Sequence, residues 1–339
     1  MADNITIALD AMGGDFGVEV VVPAALNYLK RDNSVHLILC GKTEVIESYL
    51  PHKLPAGLSI QHASEEVMMD ELPSKALRNK KDSSMRVAIN LVKDGKAKAA
   101  VSAGNTGALM ATARFVLKML DGIERPAIIT KLPSIQNDTW VLDLGANVDC
   151  TAEQLFQFAV MGSELLATTG KSSNPKVGLL NIGQEEIKGN DQVKGAHALL
   201  AKSDLNYMGY VEGDDIYTSD IDVVVTDGFI GNVALKSSEG VAKMISHKMR
   251  EAFNKNIFTK LAGLFAYPVL SSLKKTIDPR RYNGASLLGL RGVVIKSHGG
   301  ADALAFETAI GEAKREAQAD VTQHISESVA LQMSKLEKL

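Results

Sequence analysis

Short apolar runs in this chain end again and again in the same kind of loop, in which glycine stands beside Asp, Asn, Ser, Lys or His. Residues 5–9 run into 10–15 (DAMGGD), 97–101 into 102–107 (SAGNTG) and 139–144 into 143–147 (DLGAN). Residues 177–182 run into 181–190 (NIGQEEIKGN), 222–226 into 227–232 (DGFIGN) and 292–296 into 298–302 (HGGAD). Stretches of helical period separate most of these runs. Alternating strands and helices imply a mainly parallel sheet covered on both faces, because parallel neighbours need a crossover between them. The expected fold class is therefore α/β, with three layers α/β/α. Ligands of such sheets sit beyond the carboxyl ends of the strands, and the loops are expected to meet there in one cleft.

The unit at 97–120 shows the logic most clearly. Residues 97–101 form a small apolar run of strand length. Beyond the turn, Leu109, Ala113, Val116, Leu117 and Leu120 recur at helical spacing. Gly104 and Gly107 let backbone approach a ligand without a Cβ in the way. Asn105 or Thr106 is placed to cap the helix, whose N-terminus carries unpaired amides and the positive end of the helix dipole. The turn is a ready anion site, or equally a strand–helix turn with no ligand. It matches neither the P-loop nor G-x-G-x-x-G, which leaves nucleotide binding with little support. Asp10, Gly13, Gly14 and Asp15 occupy a comparable place after the first strand. Carboxylates there would repel phosphate directly; they suit turn formation, or holding a lysine, a metal or loop amides.

Composition narrows the function classes. A net charge of −3 over 339 residues speaks against nucleic-acid binding. Two cysteines, Cys40 and Cys150, are too few for a disulfide framework and suit a reducing cytoplasm. Cys40 reads as a packed core thiol. The chain enters its first strand without a basic-then-apolar leader, and no apolar run reaches the ~18 residues of a membrane span. Residues 1–339 read as a single domain, long enough for two lobes around a central cleft.

Within 233–282 the pattern changes. A helix is expected from 233 to about 253. Beyond it Phe258, Leu261, Leu264, Phe265, Tyr267, Val269, Leu270 and Leu273 are apolar, flanked by Lys255, Lys260, Lys274, Lys275, Arg280 and Arg281. Pro268 is expected to break any helix there. The segment reads as a helical protrusion whose apolar tip suits an anionic membrane surface, a dimer contact, or both. A second basic stretch, with Lys75, Arg78, Lys80, Lys81 and Arg86, is a solvated face or a dock for an acidic partner.

The motifs DAMGGD (10–15), SAGNTGA (102–108), DLGAN (143–147), NIGQEEIKGN (181–190), DGFIGN (227–232), LLGLRG (287–292) and SHGGAD (297–302) closely resemble those of the bacterial phosphate acyltransferase family called PlsX. The resemblance spans about residues 4–325. Each motif alone is weak; seven in order at fitting spacing are specific. One departure is visible: Asn283-Gly284-Ala285-Ser286 stands where Gly-Gly-Ala-Pro is expected, which loosens the turn at Ser286. The resemblance implies a Rossmann-like fold similar to isocitrate and isopropylmalate dehydrogenases and to phosphate acetyltransferases. It implies a homodimer paired through helices near the tip, in the cytoplasm and peripherally associated with membrane; the chemistry itself calls for no cofactor and no metal. The implied reaction moves a long fatty acyl group from the thioester of acyl carrier protein to inorganic phosphate. The acyl phosphate then feeds the glycerol-3-phosphate acyltransferase that begins phospholipid synthesis.

Such a reaction needs no protein nucleophile. Phosphate oxygen attacks, and a thiol of reference pKa ~8.5 leaves. The enzyme has to hold phosphate and thioester and stabilise an oxyanion. The chain has no G-x-S-x-G, H-E-x-x-H or C-x-x-C. On this reading Asp10, Gly13, Gly14, Asp15, Ser102, Gly104, Asn105, Thr106, Gly107 and Gly189 form the phosphate and substrate site, with Asn105 and Thr106 donating side-chain hydrogen bonds. Lys188 neutralises phosphate or polarises the carbonyl, Asp227 and Asn232 shape the facing wall, and His298 donates to the oxyanion or protonates the departing thiolate. Leu261, Leu264, Phe265 and Leu270 make the membrane tip. Cys150 has no obvious base or cation, so direct attack is preferred to an acyl-enzyme. The rivals are an isopropylmalate-type dehydrogenase, with a metal on Asp10, Asp15 and Asp227, and a non-catalytic membrane adaptor for acyl carrier protein.

Overall fold

The computed structural model describes residues 5–276 and 278–336. In chain order the strands are β1 (Ile5–Asp10), β2 (Val35–Gly41), β3 (Leu58–His62), β4 (Ala99–Ser102), β5 (Ala127–Leu132), β6 (Thr139–Leu142), β7 (Val177–Leu180), β8 (Tyr207–Val211), β9 (Val223–Val225), β10 (Ala285–Leu288) and β11 (Val293–Lys296). The helices are α1 (Val18–Arg31), α2 (Thr43–Glu47), α3 (Pro73–Asn79), α4 (Ser84–Lys93), α5 (Thr106–Leu117), α6 (Ala152–Thr168), α7 (Asp191–Leu200), α8 (Asp215–Thr218), α9 (Gly228–Asn254), α10 (Ile257–Thr276), α11 (Ala303–Gln318) and α12 (Val321–Leu336).

One sheet runs in the order β3-β2-β1-β4-β11-β10-β5-β6-β9-β7-β8. The first five strands are mutually parallel, and β6, β9, β7 and β8 form a second parallel block. Between them β10 pairs antiparallel with β11 and β5, and β5 antiparallel with β6. The sheet is therefore mixed but mostly parallel, with helices on both faces, as expected for the α/β class. Side-chain alternation divides the core. Ile7 and Leu9 of β1 pack with Val21 of α1 and Phe306 of α11, whereas Ala8 packs with Ile89 of α4 and Leu109 of α5. In the second block Trp140 and Leu142 face Phe156 and Leu165 of α6, while Val141 and Val224 face the other side.

The three antiparallel junctions reverse the second block, so its carboxyl ends leave the opposite edge of the local sheet. The expectation of one common edge is corrected accordingly. Twist compensates in part: six strand steps separate β1 from β9, and about 20–25° per step accumulates to about 120–150°. The long helix α9, which starts where β9 ends, brings Lys236 and Glu239 into electrostatic reach of His298 beyond β11.

Three elements differ from expectation. The glycine-rich 282–290 stretch contains β10, a short strand flanked by Gly284 and Gly289 at positive φ. The last helical stretch is two helices, divided at Asp320 with φ 49°. And α10 continues through Pro268 instead of breaking. Proline removes one backbone bond, to the carbonyl four residues earlier. Leu264 and Phe265 are largely exposed there, so water can take that carbonyl. Packing against α9 holds the helix: a Cβ at Gly263 would stand 3.0 Å from the Phe253 ring. The tip carries exposed Phe258, Leu261, Leu264, Phe265, Tyr267 and Val269, with Leu270 half-buried. The side chains of Leu273, Lys274 and Lys275 lie outside the described residues. No helix among the described residues is long and apolar enough to cross a membrane.

Candidate active site

Three neighbouring strands, β1, β4 and β11, deliver three glycine loops to one place. Asp10 ends β1, Ser102 ends β4 and Lys296 ends β11, with Lys296 opposite Ser102 in register. Asp10 is buried, and its Oδ2 accepts the Ser102 hydroxyl at 2.6 Å. Ser102 Oγ in turn accepts Gly104 N at 3.0 Å. Gly13 lies over this pair: a Cβ there would overlap Asp10 Oδ2 and stand 2.9 Å from Gly104 N. Gly14, at φ +95°, adopts a conformation that L side chains rarely take. Asp15 N donates to Gly299 O at 2.9 Å, and Ser297 N to Ser102 O at 2.9 Å. The 10–17, 102–107 and 297–300 loops are thus tied to one another through backbone.

The 102–107 turn opens α5. Asn105 caps it, Oδ1 accepting Ala108 N at 3.0 Å. The amides of Thr106 and Gly107 stand in the first turn, where a helix offers no carbonyl four residues back. Both amide hydrogens of Asn105 are committed, to Met69 O at 2.8 Å and Glu71 O at 3.0 Å. Asn105 therefore anchors the 69–71 segment beside the turn, and the side-chain donation to phosphate expected of it is not what it does here. Thr106 is exposed, with its hydroxyl at the helix mouth.

His298 is exposed at the rim. Its backbone N donates to Asn283 Oδ1 at 2.9 Å, and its Nδ1 accepts Gly300 N at 3.1 Å. That bond puts the ring proton on Nε2, which makes His298 a neutral donor. Partial burial lowers its pKa, with Lys236 and Lys296 pushing the same way. Asn283 also donates to Ser297 Oγ at 2.8 Å and to Ala305 O at 2.7 Å, holding the loop against α11.

The second block builds its own hub on Asp143, just past β6. Asp143 Oδ1 accepts Ile128 N and Ala146 N at 2.9 and 3.0 Å; Oδ2 accepts Asn147 N and Nδ2 at 2.7 and 2.9 Å. Burial raises its pKa and these donors oppose the shift. Helix α9 starts against this hub: a Cβ at Gly228 would stand 2.7 Å from Asp143 Oδ2. Asp227 caps α9, accepting Ile230 N at 2.8 Å, and Asn232 stands beside Gly145. Lys188 is exposed in the 183–190 loop, its stem next to Gly183 and its backbone O held by Asn181 Nδ2 at 3.4 Å. Gly189, at φ +90°, sits against Asn181. A cavity of about 530 Å³ adjoins this region, lined by Arg125, Cys150, Gln154 and Asp191. The Cys150 thiol is buried, and desolvation, aided by Asp143, pushes its pKa up to about 12, so it is a poor nucleophile. Cys40 is buried with its pKa likewise raised, a core thiol as expected.

A model of the fatty acid synthesis protein family matches residues 5–324. The chain belongs to that family. Its relatives include the phosphate acyltransferase of Methylococcus capsulatus, 61% identical over 95% of this chain and 96% of that one. The phosphate acyltransferase of Chromobacterium violaceum is 57% identical over 99% and 98%. Among solved structures, a phosphotransacetylase from Streptococcus pyogenes aligns with a TM-score of 0.61 at 18% identity, covering 94% of this chain and 95% of that one. A branched-chain phosphotransacylase from Enterococcus faecalis aligns at 0.58 and 12% identity, over 92% and 99%. These likenesses place the family member's fold with those of the phosphotransacylases.

Within this family member, the sequence motifs pointed to Asp10, the 102–107 turn and the 298–302 loop, and the structure brings these together. Lys188 lies in a loop of the second block, Asp227 caps α9 there, and Asn232 lies near the start of that helix. Lys296 was missed. It ends an apolar run and reads as a strand's polar terminus, yet it is buried and its Nζ donates to Ala103 O at 3.2 Å and to Ser297 O. Of the basic clusters, Lys80 pairs with Glu71 at 2.7 Å, Arg86 lies over the Phe115 ring, and Arg280 bridges Asp278 and Asp302.

Proposed function

We propose that this protein transfers a long-chain fatty acyl group from the thioester of acyl carrier protein to inorganic phosphate. The observation that carries the reading is the interlocked set of glycine loops at the ends of β1, β4 and β11, crowned by the α5 N-terminus, in a chain whose relatives bear the name phosphate acyltransferase. Phosphate dianion is held by the amides of Thr106 and Gly107 and the dipole of α5. One of its oxygens attacks the thioester carbonyl carbon. The C–O bond forms, the C–S bond breaks, and the proton that phosphate loses ends on the departing sulfur.

His298, with its proton on Nε2, donates to the developing oxyanion or protonates the departing thiolate. Lys188 approaches from the second block to neutralise phosphate or polarise the carbonyl, and Asp227 and Asn232 shape that wall. The high pKa of Cys150 supports direct attack over an acyl-enzyme. The acyl phosphate would pass to a glycerol-3-phosphate acyltransferase. An amphipathic product suits delivery at a membrane, for which the exposed apolar tip of α10 is the candidate contact. We assign the same hairpin a part in homodimer pairing, within a single acyltransferase domain.

The test is a mass-spectrometric assay with palmitoyl–acyl carrier protein, with and without phosphate. Phosphate-dependent palmitoyl phosphate is the expected product. Thioester loss without phosphate would mean a hydrolase or an acyl-enzyme. Carrier-protein binding without turnover would mean an adaptor.

A further inference from the structure

Lys296 is the one buried lysine at this cluster, and the mechanism above does not use it. Only 9% of it is exposed. A lysine is rarely buried without partners, because removing an ammonium from water is costly. Its Nζ donates to two carbonyls of two different loops, Ala103 O after β4 and Ser297 O after β11. Asp10 lies under the same turn and grips it at a different atom, through Ser102 Oγ and so Gly104 N. The second oxygen of Asp10, Oδ1, makes no hydrogen bond of normal geometry. The charged groups that reach Lys296 are Asp10 of β1, Asp15 of the following loop and Lys236 of α9, with His298 beside it.

We propose that Lys296 is a positioning residue for phosphate, fixing the Ala103 and Ser297 peptides so that the loops after β4 and β11 face one anion, and supplying from beneath the turn a charge that Asp10 balances in the free enzyme. This rests on reading the 102–107 turn as the phosphate site, and it adds the group that holds the turn in shape. Desolvation lowers the ammonium's pKa to about 8; Asp10 and Asp15 oppose that shift and Lys236 reinforces it. A dianion above it favours the charged form. Phosphate affinity therefore falls as pH rises through about 8, by up to about ten-fold per pH unit.

The test compares wild type with Lys296→Met, which keeps the stem and removes the charge. Binding of inorganic phosphate is measured by calorimetry, without acyl donor, from about pH 7 to about pH 9.5. Initial rates with palmitoyl–acyl carrier protein supply both KM values. The Met variant is expected to weaken phosphate Kd and KM by about ten-fold or more, to leave the KM for the thioester within about two-fold, and to lose the pH dependence near 8. A Met variant that matches wild type in phosphate Kd and pH profile overturns the proposal. If it fails to fold, Asp10→Asn gives the second arm: loss of the countercharge moves the wild-type inflection to lower pH, and an unmoved inflection overturns the proposal. Calorimetry also separates the two claims. Wild type that binds phosphate in this Lys296-dependent way but makes no acyl phosphate sinks the reaction assignment and leaves this one standing.

Discussion

Two buried aspartates organise the two halves of this molecule, and they do so differently. Asp143 is saturated: four N–H groups, from Ile128, Ala146 and Asn147, fill both of its oxygens. Asp10 accepts the Ser102 hydroxyl, is further stabilised by the Ser84 hydroxyl and the Met12 and Gly13 amides, yet leaves Oδ1 without a hydrogen bond of normal geometry, and it lies within electrostatic reach of the Lys296 ammonium. Burial raises the pKa of both. A fully satisfied buried carboxylate is a structural clasp, since every donor it holds would otherwise be orphaned. An under-satisfied one beneath a glycine turn, with a buried ammonium in electrostatic reach, is the preorganised field that the proposed phosphate site requires. The second half is thus clamped around a hub that helix α9 sits on, while the first half ties its loops together above a buried carboxylate and a buried ammonium.

The largest effect that sharpens this contrast is on stability. Asp143→Ala orphans up to four buried donors, and at about 1–3 kcal/mol each, not fully additive, it should destabilise the fold by about 4 kcal/mol or more in urea denaturation. Asp10→Asn keeps an acceptor for Ser102 and should cost less than about 1.5 kcal/mol by the same assay, with its main effect on phosphate use. Equal destabilisation by the two would break the comparison.

A third buried carboxyl extends it. Glu316 of α11 accepts the Ser286 hydroxyl at 2.8 Å, and burial, with the charge of Glu312, raises its pKa to about 8. The native state keeps this proton while the unfolded chain releases it near the ordinary glutamate range. Stability is therefore lost as pH rises from about 4.5 to about 8. Glu316→Gln should gain up to about 4 kcal/mol at pH 8 and flatten that slope. A wild-type slope that survives the substitution would remove Glu316 from the class of proton-holding acids.

Lys188 is exposed where Lys296 is buried, so its loss should spare the fold. Lys188→Ala is expected to cut turnover by about ten-fold or more with Tm unchanged; near wild-type rates at saturating phosphate would reject its role. The smallest effect belongs to the tip: Leu264→Glu/Phe265→Glu should abolish flotation with anionic liposomes while leaving turnover in solution within about two-fold. Equal flotation of the two proteins would reject the tip as the membrane contact.

Much of this was legible because strand ends and caps are local features. The SAGNTG turn announced its strand, its helix and a cap at Asn105 or Thr106, of which Asn105 is the one used, and the DAMGGD and SHGGAD loops announced the neighbours that the register brings beside it. What escaped depends on distant partners. Lys296 looks like a strand terminus until Asp10 and Ala103, far away in the chain, close over it. Asn105 reads as a free donor until Met69 and Glu71 take its amide. The strand Ala285–Leu288 hides in a glycine-rich stretch because its pairing with β5 and β11, not its own sequence, makes it a strand. Pro268 forecasts a break that packing of α10 on α9 prevents.

The central claim is that phosphate sits over Asp10 and Lys296, in the first half of the molecule. A crystal soaked with tungstate, a heavy phosphate surrogate, tests it most directly through anomalous density. The account predicts a peak within hydrogen-bonding distance of the Thr106 and Gly107 amides. A peak instead in the cavity beside Arg125 and the start of α6, with none at the turn, would contradict it.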